Sequence, residues 1–166
     1  IFEKEVIYRI VRLSSGYAYF THLLALKAAE KAIIEERQTI ALNNLNFAIE
    51  KAINDCESSL QKLYEISIKS SVERYKKVLY AIALCNDEFI KKKDVKAKYE
   101  SKFGEPLMRS ALDSCFSRIA SDDNSKILKR IYKGVYRFSD PRMASYIRIV
   151  QSYICLLYTS PSPRDV

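Results

Sequence analysis

Glycine is scarce in this chain: among 166 residues only Gly16, Gly104 and Gly134 occur. A phosphate-cradling P-loop needs two glycines five apart, followed by Lys and Ser or Thr. No such stretch exists, so the chain carries no recognisable nucleotide-hydrolysing loop of its own. Histidine is scarcer still. His22 stands alone, with no Cys, Asp or Glu close in sequence, which argues against a catalytic or metal-binding role. The four cysteines, Cys56, Cys85, Cys115 and Cys155, are widely spaced and form no CxxC pair. That spacing does not suit zinc. Each falls in an apolar helical pattern, where a small buried thiol in a reducing cytosol is the expectation. No apolar run approaches the length of a membrane span, and no signal peptide opens the chain. A cytoplasmic protein without a membrane partner is therefore expected. No residues form a nucleophile–base pair or a metal-ligand set, so a free-standing enzyme is not expected. The first residue is Ile1 rather than Met, and the expectation is a piece of something longer or a processed product.

What is present is apolar content and positive charge. With 48% hydrophobic residues, 29% charged residues and seven Phe, the chain can close one core or two small ones and is not compositionally disordered. The charge is uneven. Residues 1 to 71 hold nine Lys/Arg against nine Asp/Glu, whereas residues 72 to 150 hold eighteen against ten. The whole net charge of +8 therefore sits in the second half. This divides the chain near Ser70-Ser71 and makes the second half the candidate for binding a polyanion.

The first half predicts helices. Phe2, Val6, Ile7, Ile10 and Leu13 recur at helical spacing, and Ser14-Ser15-Gly16 ends the pattern, with Gly16 placed for a left-handed C-cap. A second helix is expected from about Ala18 to Glu35. A third, long one is expected from about Thr39 to Ile68, with Leu42, Leu45, Ile49, Ala52, Cys56, Leu60 and Leu63 stepping by three and four. The stripe widens at Phe47, Ile53 and Tyr64, which favours packing along a small bundle over a coiled-coil seam.

The second half changes character. Tyr75, Val78, Leu79, Ile82 and Ala83 make one helix face. Phe89-Ile90 is a short β-prone pair. Asp94 is placed to cap a helix holding Val95, Ala97, Lys98 and Tyr99. After the turn at Phe103-Gly104-Glu105-Pro106, a helix from Leu107 to Ala120 points Leu107, Ala111, Leu112, Cys115, Phe116 and Ile119 inward. Ser121 to Asn124 breaks it. Two strands follow, about Ile127 to Tyr132 and Val135 to Phe138, joined at Lys133-Gly134. Then Asp140-Pro141 opens a last apolar-periodic segment. Helix, short strand, helix, turn, helix and hairpin is the order of a winged helix-turn-helix. Its hairpin is expected to lay Ile127, Ile131 and Phe138 over the helices. The expected fold class is mainly α: a small helical bundle over 1–71, then a winged helix-turn-helix with a β-hairpin wing over 72–150.

These residues resemble a family. LSSGYAYFTHLLALKAA in the first half looks like the lid subdomain of AAA-type and STAND-like ATPases, where a glycine followed by an aromatic or Pro opens the lid's second helix. VLYAIALCNDEF, ALDSCFSRIA and GVYRFSDPRMASYI in the second half are similar to the C-terminal winged helix of bacterial and archaeal ATPases of the origin-recognition type. The resemblance covers about residues 2 to 150. It implies an ATP-binding core, with ATP and Mg, upstream of Ile1, and no cofactor in this chain itself. In many such ATPases an Arg three residues after the lid glycine touches the γ-phosphate. Counted from Gly16, that sensor-2-like position is Tyr19, so sensing through an Arg is not implied here. Packing against the upstream core is the bland role for Tyr17, Tyr19 and Phe20. Separately, CLLYTSPSPRD, residues 155 to 165, resembles the translation of a common sequencing adapter. Residues 151–166 are expected to be a disordered or artefactual tail.

Two uses of the basic half remain open. In the first it binds DNA, and the nucleotide state of the upstream core repositions it. Arg109, Ser110, Ser114 and Arg118, with Asp113 and Ser117 on the same polar side, would enter the major groove, Arg109 reading guanine. Lys129, Arg130, Lys133 and Arg137 of the wing, with Lys91, Lys92, Lys93 and Lys96, would meet phosphates. In the second it is a protein-interaction or autoregulatory module of a STAND-like switch. Its basic face would then meet an acidic protein surface or the protein's own ATPase core. The Lys91-Lys92-Lys93 run equally fits a plain solvated surface.

Overall fold

Where apolar residues recur at three- and four-residue spacing, the chain is helical. A computed structural model describes residues 1–69, 71–121 and 126–159. They fall into two compact units: Ile1–Cys56 together with the C-terminal helix from Arg148 onward, and Glu57–Ile147.

In the first unit, α1 (Lys4–Ser14) buries Val6 and Ile10. It ends at Ser15, which takes the left-handed C-cap conformation at φ 51°. Gly16 follows at φ +81°, so the expected left-handed cap is shared by two residues. The helix α2 (Ala18–Ile34) buries Phe20, Leu24, Ala28 and Ala32, every fourth residue. It packs along α3 (Leu42–Asp55), which buries Leu45, Ala48, Ile49 and Ala52. The alanines on both faces leave room for close helix approach. Asn44, fully buried, builds the start of α3. Its Oδ1 accepts the Ala41 N–H at 2.9 Å, and its Nδ2 donates to Glu35 at 2.8 Å. A parallel bridge ties Phe2 to Ile40. Arg148, 8% exposed, donates to the Arg12 carbonyl at 3.1 Å and to Ser15 Oγ. A cation on the last carbonyls of α1 complements the helix dipole.

The long helix expected over 39–68 is two. After α3 the backbone turns extended at Cys56, and α4 (Ser58–Ile68) begins at an N-cap Glu57. The Glu57 carboxylate accepts from Ser59 Oγ at 2.8 Å and from Arg142 at 2.6 Å.

The second unit continues with α5 (Glu73–Ala83), β1 (Ile90–Lys91), α6 (Lys92–Phe103), α7 (Arg109–Ile119), β2 (Ala120–Ser121), β3 (Leu128–Tyr132), β4 (Val135–Phe138) and the start of α8 (Met143–Thr159). The architecture is thus mainly α with one small sheet. Its strand order is β1-β4-β3-β2, with β1, β4 and β3 antiparallel and β2 parallel to β3. The hairpin turns at Lys133-Gly134, where Gly134 has φ +79°. Tyr75, Val78, Leu79 and Ile82 of α5 share a buried core with Val95, Tyr99, Leu112, Phe116 and Ile119 of α6 and α7.

Several expectations are corrected. Ile131 does not face the helices; it is 37% exposed, at a register shift between Arg130 and Tyr132. A bulge moves one residue out of alternation, and Leu128, Val135 and Tyr136 are buried in its place. Asp94 makes no cap hydrogen bond; α6 begins earlier, with Lys91 as N-cap, and Asp94 lies in its first turn. Cys155 is exposed rather than buried, while Cys56 and Cys115 are buried. Residues 151–159 are helical, as the end of α8. Ser70, most of the break at 121–124, and residues 160–165 of the adapter-like stretch lie outside the described residues. Among the described residues, no helix is long and apolar enough to cross a membrane, and no group of three His, Cys, Asp or Glu is placed to hold a metal.

Candidate nucleic-acid interface

The exposed side of α7 carries Arg109, Ser110, Ser114, Ser117 and Arg118, with Asp113 half-buried among them, while Leu112, Cys115, Phe116 and Ile119 turn inward. This is the amphipathic division its spacing predicts. Phe116 packs on Tyr136 of β4 with ring centroids 4.7 Å apart. This contact fixes α7 against the sheet.

The charges on this face are partly spent inside the protein. Lys92, the first residue of α6, donates to Asp113 Oδ1 at 2.5 Å. Its ammonium also lies 5.4 Å from the Phe116 ring centre and 5.9 Å from that of Tyr136. The Lys92 hydrogen bond holds the Asp113 carboxyl below its usual range, so it is charged at neutral pH. Arg109 Nε lies 3.9 Å from the other Asp113 oxygen, and its side chain is 94% exposed. Arg118 is committed elsewhere: it stacks 4.5 Å over Tyr75 and donates to the Lys69 carbonyl at 2.8 Å. Lys96 pairs with Glu100 at 3.8 Å and Arg137 with Glu88 at 4.0 Å.

The sheet carries further cations. Lys129 and Arg137 are direct cross-strand partners, so they share one face. Lys91 on β1 stands opposite Val135 on β4. Arg130, Lys133 and Lys93 are exposed. Arg130 is opposite Tyr136, and Lys133 sits in the hairpin turn. The structure therefore joins Arg109, Asp113 and Lys92 in one cluster and places Lys129 with Arg137 on the sheet. It holds Arg118 and Lys96 in internal contacts. The role of Lys92 as a clamp on Asp113 has no local signature, because the two residues are 21 positions apart.

The lid-like positions lie in the first unit. Tyr19, in the first turn of α2, is 39% exposed and packs edge-on against Phe20 with centroids 4.9 Å apart. Gly16 opens the approach to that helix. Compared with protein families, curated proteins and solved structures, the chain matches none of them.

Proposed function

We propose that residues 72–147 form a winged helix-turn-helix that binds DNA mainly through its phosphates, as part of the C-terminal region of an AAA- or STAND-like ATPase. The order α5, β1, α6, α7, β3, β4, with β1 completing the hairpin's sheet, supports the winged-helix reading. The distribution of cations carries the DNA reading. Among the described residues, Lys91, Lys93, Lys129, Arg130 and Lys133 have no acidic partner within ion-pair distance, whereas Asp113, Glu100 and Glu88 are already taken by Lys92, Lys96 and Arg137. Among the described residues these five cations are not neutralised by ion pairs, which favours a positive field on this side.

Each phosphate neutralised contributes about −0.9 to the slope of log K against log salt. Five such contacts give a slope of about −4.5. Titration of the whole chain with random duplex DNA at two salt concentrations tests this. Binding that weakens with a slope of about −3 to −4.5 supports the reading. Absence of binding at low salt overturns it.

A second reading, docking to an acidic protein surface or to the protein's own ATPase core, is favoured by exposed apolar groups in the same unit. Met108 is 72% exposed, Tyr132 60% and Phe89 45%. Aromatic and Met side chains are enriched in protein interfaces. The same titration separates the two, because this reading predicts no affinity for random DNA.

A further inference from the structure

We propose that Lys92, Asp113 and Arg109 form a base-reading relay on α7, in which the Asp113 carboxylate orients Arg109 to take a guanine. The inference rests on the DNA-binding reading above and deepens it by naming the residue that sets specificity.

The argument starts from an oddity. A carboxylate in the middle of a DNA-facing helix repels phosphates and is out of place unless it has a task. Asp113 is so placed, one helical turn after Arg109. It is also anchored. One of its oxygens accepts from Lys92 at 2.5 Å, and that ammonium is itself held over the rings of Phe116 and Tyr136. The second oxygen lies 3.9 Å from Nε of Arg109. A carboxylate on the Nε edge of a guanidinium leaves the two terminal nitrogens directed away from it. Those two donors match the O6 and N7 acceptors of guanine in the major groove. Arg109 is 94% exposed, so without a partner it would lose much rotamer freedom on binding. At 3.9 Å the pair is an ion pair rather than a hydrogen bond, and its attraction favours arrangements that keep the Nε edge toward the carboxylate, which reduces that loss. The small side chains of Ser110 and Ser114 beside it leave space for a base edge.

The test uses the full chain. Duplexes are selected from a randomised pool, and affinity is then measured by fluorescence anisotropy for the selected duplex and for versions with each G·C pair changed to A·T. The wild type is expected to prefer guanine at one position by about tenfold or more. Asp113→Ala is expected to lower that ratio at least threefold, roughly, while raising affinity for random duplex DNA, because it removes a repelling charge. Arg109→Lys is expected to lose the same preference, since an ammonium is a point charge without the fork. A loss of folding would reduce both affinities together, so the opposed changes in Asp113→Ala separate a reading role from a structural one. Wild-type binding without a guanine preference overturns the relay alone. A full preference retained in Asp113→Ala, or a parallel fall in both affinities, also overturns it. No binding of any DNA at low salt overturns the DNA-binding reading itself.

Discussion

Asp140 offers a sharp test of how the last helix is held. In Asp140-Pro141-Arg142, the Asp140 Oδ1 accepts the backbone N–H of Arg142 at 2.9 Å, and Oδ2 accepts from its guanidinium at 2.7 Å. The Asp140 carbonyl accepts the N–H of Met143 at 3.0 Å. The side chain thus satisfies a backbone donor that the start of α8 leaves without a helical partner. Replacing such a cap by Ala costs about 1 kcal/mol, within a range of roughly 0.5–2. Arg142 is not stranded by the change, because Glu57 still accepts from it at 2.6 Å. The expected cost of Asp140→Ala is therefore about 1–2 kcal/mol, or a fall in Tm of about 2–8 °C for a chain of this size. Asp140→Asn keeps an acceptor oxygen and is expected to lose less than half as much.

The pH dependence has a definite sign. The Arg142 guanidinium holds the Asp140 carboxyl below its usual range. A carboxyl whose folded value lies below its unfolded value contributes stability at pH above the unfolded value, near about 3.9. That contribution is lost as pH falls through the folded value. Urea titrations at pH 7 and in the acid range measure both effects. The gap between wild type and Asp140→Asn should narrow on acidification. An Asp140→Ala variant within about 0.5 kcal/mol of wild type at pH 7, the range of ordinary surface changes, would refute the cap. So would an Asn variant as damaged as the Ala variant.

Two further substitutions probe the second unit. Phe116 is 1% exposed and packs on Tyr136; Phe116→Ala is expected to cost about 3–5 kcal/mol, measured by urea unfolding, and a loss under about 1.5 would mean the core beneath the sheet is not closed by this ring. Gly134 sits at φ +79° with open space where a Cβ would stand, so Gly134→Ala meets no clash but adopts a left-handed backbone at a cost of about 1–2 kcal/mol; a change near zero would show that the turn does not require that conformation.

The parts of this fold that were legible in the sequence have strong local signals. The hairpin is one: two β-prone runs flank Lys133-Gly134, and a glycine is what a positive φ in a tight turn favours. The helices α1, α5 and α7 are others, each with a clear apolar stripe, while α2 is apolar on several sides and leaves Leu26, Ile33 and Ile34 exposed. The misses come from effects that local patterns do not carry. The stripe from Leu42 to Leu63 runs unbroken through Cys56, so periodicity alone joins α3 to α4. The break lies at Cys56, where the backbone is extended, and the next residue, Glu57, is held by Arg142 across 85 positions. β1 and β2 are two residues each, too short for alternation to register. The outward turn of Ile131 reflects a one-residue register shift, which sends a side chain to the other face. The helical stretch 151–159 was obscured by the Ser and Pro that follow it, although Ile154, Leu156 and Leu157 suit a helix well. For the candidate site, the sequence placed Arg109, Ser110 and Ser114 on one helix side. It did not disclose that Arg118 is taken by Tyr75, or that Lys92 serves Asp113.

That last point changes what the net charge means. The excess of eight positive charges over residues 72 to 150 survives internal pairing, because each ion pair removes one charge of each sign, but several of the cations themselves are held within the protein. Arg142 serves Asp140 and Glu57, Lys77 serves Glu105, Lys96 serves Glu100, and Arg118 serves a ring and a carbonyl. Among the described residues, β1, the first turn of α6 and the hairpin carry Lys91, Lys93, Lys129, Arg130 and Lys133 with no acidic partner within ion-pair distance, whereas α7 presents one exposed Arg beside a clamped Asp. Phosphates would then be met by the sheet side, and base edges by a single point on α7. A protein built this way gains most of its affinity from phosphate contacts that are blind to sequence and steeply weakened by salt. On the DNA-binding reading proposed above, discrimination would be confined to about one base pair, too little to find a unique genomic site.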